Sequence, residues 1–108
     1  MYARNVSFRL KSNTQSDYAC TFENQILPLL RKQIGFKEEI TLANPDSLDV
    51  VAISLWANKT DAEVYNTNTY PEVLNALANV IDGTAKIQAF EVVTSTSHNV
   101  PVDTLTFL

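Results

Sequence analysis

Hydrophobic and polar residues alternate with a period of two in two segments of the chain, and two further segments are apolar on both faces, so all four are predicted to be β-strands. These segments are residues 2–11, 36–43, 49–56 and 85–96. Residues 44–47 form an Asn-Pro-Asp-Ser turn sequence that separates the second segment from the third and predicts an antiparallel hairpin. Within the second segment, Ile40 and Leu42 are expected to share one face.

The segment between the first two strands has a helical period. Its apolar residues recur at every third or fourth position, and they are Tyr18, Phe22, Ile26, Leu29 and Leu30. Thr14 and Asp17 are spaced to satisfy first-turn amides, so we expect the helix to begin there. Pro28 removes a backbone hydrogen bond and predicts a kink near residues 24–28, and Gly35 predicts the end of the helix.

A second helix is predicted after the third strand. Thr60 and Glu63 have the spacing of a capping box, and the helical pattern is interrupted over residues 66–70. Pro71 suits the first turn of a continuation. The expected buried stripe of that continuation consists of Val73, Leu74, Leu77, Ala78 and Ile81. The pair Asp82-Gly83 is expected to end it.

The resulting order is β-α-β-β-α-β, which predicts one α+β domain with a four-stranded sheet. A chain of 108 residues is near the common size of a single domain. We expect the domain to span residues 1–96 and residues 97–108 to form a C-terminal tail that contacts a partner subunit.

The third strand is apolar on both of its faces, with Val51, Ile53 and Leu55 on one side. Val50, Ala52 and Trp56 lie on the other. Helices on one side of a sheet cover only one of these faces, and the second face would meet water. We therefore predict a homodimer in which two sheets pack face to face and each copy buries about 800 Å².

Charge and composition exclude several classes of function. The net charge is −4 and the basic residues are scattered, which argues against a nucleic-acid partner. No apolar run approaches the ~20 residues of a membrane span. The single cysteine, Cys20, and the lack of a signal-peptide pattern favour a cytoplasmic protein. The only histidine, His98, has no cluster of ligands near it in the sequence, so no metal site is predicted.

Four sequence features together resemble the antibiotic biosynthesis monooxygenase domain. They are Phe8-Arg9-Leu10-Lys11, the run from Ile26-Leu27-Pro28-Leu29-Leu30 to Gly35-Phe36, Ser54-Leu55-Trp56, and Tyr70-Pro71. The resemblance covers about residues 2–95. It implies a ferredoxin-like fold with an antiparallel sheet, assembled as a dimeric α/β barrel. The family includes cofactor-independent oxygenases of polyphenolic or quinol substrates, haem-degrading oxygenases and members without an established reaction.

The candidate substrate-binding residues are Trp56, Tyr65, Tyr70 and Asn75. The resemblance places Trp56 at a strand-ending tryptophan, and the tyrosines flank the predicted helix break. Core packing is the favoured interpretation of all three aromatic residues, and substrate contact is the alternative. No catalytic residue is assigned, and Cys20 is interpreted as a core residue.

Three functions remain open at this stage. One is a monooxygenase that needs no cofactor and oxidises a small aromatic or quinol-type substrate. Another is a non-catalytic dimeric module that binds a small ligand or serves in a stress response. The third, haem degradation, is disfavoured because Tyr65 and Asn75 lie near the positions where the haem-degrading relatives have a tryptophan and an iron-binding histidine.

Overall fold

The computed structural model describes residues 1–100. A four-stranded antiparallel sheet forms one layer, with the strand order β2-β3-β1-β4. The strands are β1 (Tyr2–Leu10), β2 (Phe36–Ala43), β3 (Asp49–Trp56) and β4 (Ile81–Glu91). The helices follow β1 and β3 in the chain, so the predicted β-α-β-β-α-β order and the ferredoxin-like α+β fold are confirmed.

The helical layer contains two interrupted helices. The first comprises α1 (Gln15–Thr21), a π-helical turn (Phe22–Ile26) and α2 (Leu27–Arg31). The π turn ends two residues before Pro28, whose missing N–H cannot continue the regular ladder. The second comprises α3 (Lys59–Asn68) and α4 (Tyr70–Leu77), with Thr69 at the junction. Both predicted interruptions are therefore present.

The first helix begins as predicted, directly after Thr14, but several predicted caps and element ends were wrong. Asn58, not Thr60, caps α3, because its Oδ1 accepts a hydrogen bond from the Asp61 amide at 2.8 Å. The Thr14 hydroxyl donates to the Lys11 carbonyl at 2.6 Å and caps no amide. Ile81 and the two residues after it begin β4, which ends at Glu91 and not near residue 96.

The core lies between the helices and one face of the sheet. Trp56 is fully buried at its centre. The other core residues are Phe8, Leu10, Tyr18, Ile26, Leu30, Val50, Ala62, Tyr65, Tyr70, Val73, Leu77 and Val80. Cys20 was expected in this core, but it is exposed on α1.

A β-bulge in β2 decides which of its side chains face the helices. Phe36 pairs with Trp56, but the next pair joins Glu38 to Leu55, so one extra residue lies between them in β2. Because strand side chains alternate, this insertion reverses the two faces for the rest of the strand. Glu39 consequently pairs with Ser54 on the helix-covered face.

Within residues 1–100 no helix lies on the other face of the sheet, which is here called the open face. Ile40, Leu42 and Phe90 lie on this face and are 42%, 52% and 51% exposed. After β4 the chain continues past the sheet, and His98 Nε2 lies 3.0 Å from Glu38 Oε2. Residues 101–108 of the predicted tail lie outside the described residues. No helix among residues 1–100 is long and apolar enough to cross a membrane.

Candidate functional site

A cavity lies between the helices and the helix-covered face of the sheet. The volume of the cavity is about 50 Å³, and about 520 Å³ of empty space is present when the open mouth is included. Its walls are mostly apolar. They are formed by Val6, Phe8, Tyr18, Phe22, Ile26, Leu30, Glu39, Ala52, Ile53, Ser54, Tyr65, Tyr70, Val73, Leu74, Leu77, Ile81 and Ala85. The space is therefore a narrow apolar slit with few polar groups.

Three aromatic rings form a continuous layer at one end of this slit. The ring centroids of Trp56 and Tyr65 are 4.8 Å apart, and those of Tyr65 and Tyr70 are 6.2 Å apart. Trp56 packs against Tyr65 and donates from Nε1 to the Ser54 hydroxyl at 2.9 Å. This hydrogen bond satisfies the buried indole and fixes the ring against which Tyr65 packs.

Arg4 is a buried cation behind the two tyrosines. Its side chain extends from β1, and its guanidinium carbon lies 5.0 Å from the ring centre of Tyr65 and 4.4 Å from that of Tyr70. It donates to Asn66 Oδ1 at 2.8 Å and forms no salt bridge within residues 1–100. Burial lowers the pKa of Arg4, and the ring faces supply the electron density that a carboxylate would usually provide.

Glu39 is the only carboxylic acid among the residues that line the cavity. Its Oε1 accepts a hydrogen bond from the Thr41 hydroxyl at 2.6 Å. Burial raises the pKa of Glu39, and the Thr41 hydrogen bond offsets part of that effect. A carboxyl group in this environment takes up a proton more readily than one in water.

The strand register aligns the polar groups in one row. Glu39 pairs with Ser54, and Ser54 pairs with Arg4 on its other side. The row therefore has an acid at one end, a cation at the other and a hydroxyl between them. It runs across an otherwise apolar face of the sheet, directly below the helical layer.

The tyrosine hydroxyls are held in their neutral form. Burial raises the pKa of Tyr65 to about 12, although the nearby Arg4 charge lowers it in part. Burial also raises the pKa of Tyr70. The hydroxyl of Tyr70 is buried and has no hydrogen-bond partner within residues 1–100. It is thus a free donor and acceptor on a residue that lines the cavity.

The structure brings three of the four predicted site residues together. Tyr65 and Tyr70 line the cavity, and Trp56 packs against Tyr65. Asn75 is exposed on α4 and does not line the cavity. Its position offers no support for a haem ligand. Among residues 1–100 there is no group of three or more His, Cys, Asp or Glu side chains that could hold a metal ion.

Sequence analysis did not identify Arg4 and Glu39. A signal for Arg4 was present, because it has the same parity in β1 as Val6 and Phe8, which are apolar. A charge in the buried phase of a strand is uncommon and marks a position of interest. For Glu39, strict alternation from Phe36 predicts the open face, but the bulge in β2 reverses the faces and turns Glu39 toward the helices.

Comparison with known proteins defines the fold. No family model matches the chain, and no curated protein matches it. Solved structures do. SnoaB, a cofactor-independent oxygenase from Streptomyces nogalater, superposes with a TM-score of 0.73 at 14% identity, over 90% of this chain and 97% of that one.

Two further solved structures are similar to the same extent. A monooxygenase from the gene ActVA-Orf6 of Streptomyces coelicolor, in complex with nanaomycin D, has a TM-score of 0.70 at 19% identity, over 93% of this chain and 91% of that one. A Deinococcus radiodurans protein assigned to the antibiotic biosynthesis monooxygenases has a TM-score of 0.71 at 14% identity, over 94% and 99%. The chain therefore has the fold of the antibiotic biosynthesis monooxygenases.

Proposed function

We propose that this protein is a cofactor-independent monooxygenase that oxidises a small aromatic or quinol-type substrate in the cavity beside Tyr65 and Tyr70. The observation that carries the proposal is this narrow apolar cavity with two neutral tyrosines and one carboxyl group in its wall. Two proteins with the same fold are named an oxygenase and a monooxygenase. Fold likeness alone does not fix a reaction, so the site geometry supplies the argument.

The reaction uses the substrate as its own reductant. A phenolic substrate loses its O–H proton and gives electrons to dioxygen, which is the co-substrate. One oxygen atom enters the ring as a second carbonyl in place of hydrogen, and the other leaves as water. A phenol and dioxygen thus yield a quinone and water, with atoms and electrons balanced. The protein's contribution is to orient the ring and exclude water.

Flat molecules suit the shape of the site. With the side chains in their present positions the slit is too narrow for an aromatic ring, because its volume is only about 50 Å³. Leu74 lines it and is 37% exposed, so this side chain can move outward at the mouth. We expect an aromatic ring to enter there and lie along the tyrosines.

Oxygen uptake with a panel of quinols tests the proposal. We expect the wild-type protein to consume dioxygen faster than buffer with at least one of them. Ala85 lines the cavity, and Ala85→Phe should fill it and remove the activity. The matched control is Ala43→Phe, which places the same side chain at an exposed site on β2. Uptake no faster than buffer with every quinol would refute the proposal.

A second candidate is a non-catalytic module that holds a small apolar ligand in the same cavity. The narrow apolar slit favours this candidate, because apolar walls can hold a small ligand without any reacting group. The two candidates are separated by one comparison. A protein that binds a quinone, measured by quenching of Trp56 fluorescence, yet consumes no dioxygen with the matching quinol is a binding module.

We further propose that the active form is a homodimer joined through the open face. Ile40, Leu42 and Phe90 would be covered by the same face of a second copy, and the tails could reach across to the partner. Light scattering should give the mass of two chains. Leu42→Asp should give the mass of one, because it would bury an unpaired charge.

The free thiol of Cys20 suits a cytoplasmic location.

A further inference from the structure

Glu39 is a carboxyl group in a place where carboxyl groups are costly. It lies on β2, faces the helices and lines an otherwise mainly apolar cavity. Within residues 1–100 it forms no salt bridge. The side chain is half-buried, and partial burial of a charge without an ion-pair partner is unfavourable, so its position in an apolar wall indicates a role other than packing.

The two oxygens of Glu39 have different surroundings. Oε1 accepts the Thr41 hydroxyl, which sets the orientation of the carboxyl group. No side chain within residues 1–100 donates a hydrogen bond to Oε2. One oxygen is therefore anchored and the other is available to a molecule in the cavity.

The charged and titratable groups around Glu39 come from three elements. Tyr18 faces it from α1 and Tyr65 faces it from α3. Arg4 on β1 lies in the same row of the sheet, with Ser54 between them. Both tyrosines are neutral at physiological pH, and the one cation is two strands away. Burial therefore dominates and raises the pKa of Glu39.

We propose that Glu39 is the proton acceptor for the acidic hydroxyl of an aromatic ligand in the cavity. This inference deepens the proposed function and rests on it. In the step, the O–H bond of the phenol breaks, and its electron pair stays on the phenolic oxygen. The proton forms a new bond to Oε2 of Glu39, and no electrons leave the ligand. The phenolate is then the species that reacts with dioxygen.

The environment of Glu39 suits this task. Each unit by which burial raises the pKa of Glu39 makes the equilibrium for proton transfer from a phenol to its carboxylate tenfold more favourable. A catalytic carboxylate in water would be a weak base toward a phenol, whereas a partly buried one is stronger.

The test uses 4-nitrophenol, a one-ring phenol whose anion absorbs visible light. The apparent pKa of the bound probe is measured without substrate turnover in the wild-type protein, in Glu39→Gln and in Glu38→Gln. An ionised Glu39 in contact with the phenol disfavours a second negative charge beside it. We expect Glu39→Gln to lower the pKa of the bound probe by about one unit or more.

Glu38→Gln is the matched control. Glu38 is the adjacent carboxyl group on the same strand, but it faces the open face and lies 3.0 Å from His98. It should leave the bound probe as it is in the wild-type protein. Unchanged circular dichroism in both variants verifies that they fold.

Three results would overturn the inference. The first is equal ionisation of the bound probe in all three proteins, and the second is failure of the wild-type protein to bind the probe. The third is quinol oxidation by Glu39→Gln at the wild-type rate, with an unchanged pH profile, and this third result would leave the proposed function intact. If Glu39→Gln shifts the probe while no quinol supports oxygen uptake, Glu39 still contacts the ligand and the monooxygenase proposal fails instead.

Discussion

Replacing Tyr65 with phenylalanine should make the protein more resistant to alkali. Burial raises the pKa of Tyr65 from 10.0 to about 12. The folded state therefore holds the phenolic proton more tightly than the unfolded state does. This stabilising contribution is complete below pH 10 and is lost as the pH rises through 12. From these two pKa values, the loss is about 0.4 kcal/mol at pH 10 and about 1.4 kcal/mol at pH 11.

The measurement is urea unfolding followed by circular dichroism at one protein concentration, from about pH 8 to about pH 11. The wild-type protein should lose more free energy of unfolding over this range than Tyr65→Phe, by about 1.4 kcal/mol. Tyr2→Phe, at the start of β1, is the control and should keep the wild-type loss. Identical losses in wild type and Tyr65→Phe would mean that Tyr65 is open to water, which contradicts the aromatic layer described above.

Two further substitutions test the surroundings of the site. Ser54→Ala removes the acceptor of the buried Trp56 indole at 2.9 Å and should cost about 1–3 kcal/mol of unfolding free energy, but less in a Trp56→Phe background, where no indole N–H is left unpaired. An equal cost in both backgrounds would show that the hydrogen bond is unimportant. Gly35→Ala should destabilise the protein more than Gly83→Ala. Both glycines have φ near +80°, a conformation that costs about 1–2 kcal/mol for a residue with a side chain. A Cβ at Gly35 would also collide with Asp61, whereas a Cβ at Gly83 would meet open space. Equal losses, measured by thermal unfolding, would contradict this.

Sequence patterns predicted the order of the elements because each strand and helix carries its own period. The two helix interruptions were also predictable, since proline and a run of short polar residues have local effects on the backbone. Pro28 follows the π turn, and Thr69 separates α3 from α4. The ends of β4 were missed because Ile81 continues the helical pattern of α4, although it pairs with Leu10 in the sheet. Pairing across the sheet decides such boundaries, and a local pattern does not contain it.

The aromatic part of the site was predictable for the same local reason. Tyr65 and Tyr70 flank a helix break, and such a position faces the sheet from the end of a helix. The prediction of Asn75 assumed that the helix would present it toward the cavity, but it is exposed on α4. Arg4 was missed although its place in the alternation of β1 puts it on the buried face. A single charged residue within an apolar pattern does not by itself indicate a role.

The alternation of side chains in β2 could not predict the position of Glu39, because one extra residue in this strand reverses the two faces. Strict alternation from Phe36, which packs on Trp56, would place Ile40 and Leu42 under the helices and Glu39 on the open face. With the bulge, Glu39 faces the cavity and the two apolar residues face outward. The same insertion thus removes apolar packing from the cavity, supplies its only carboxyl group and makes the open face apolar. In this chain the proposed site and the proposed dimer interface have a common structural cause, and a β2 without the bulge would be expected to lose both.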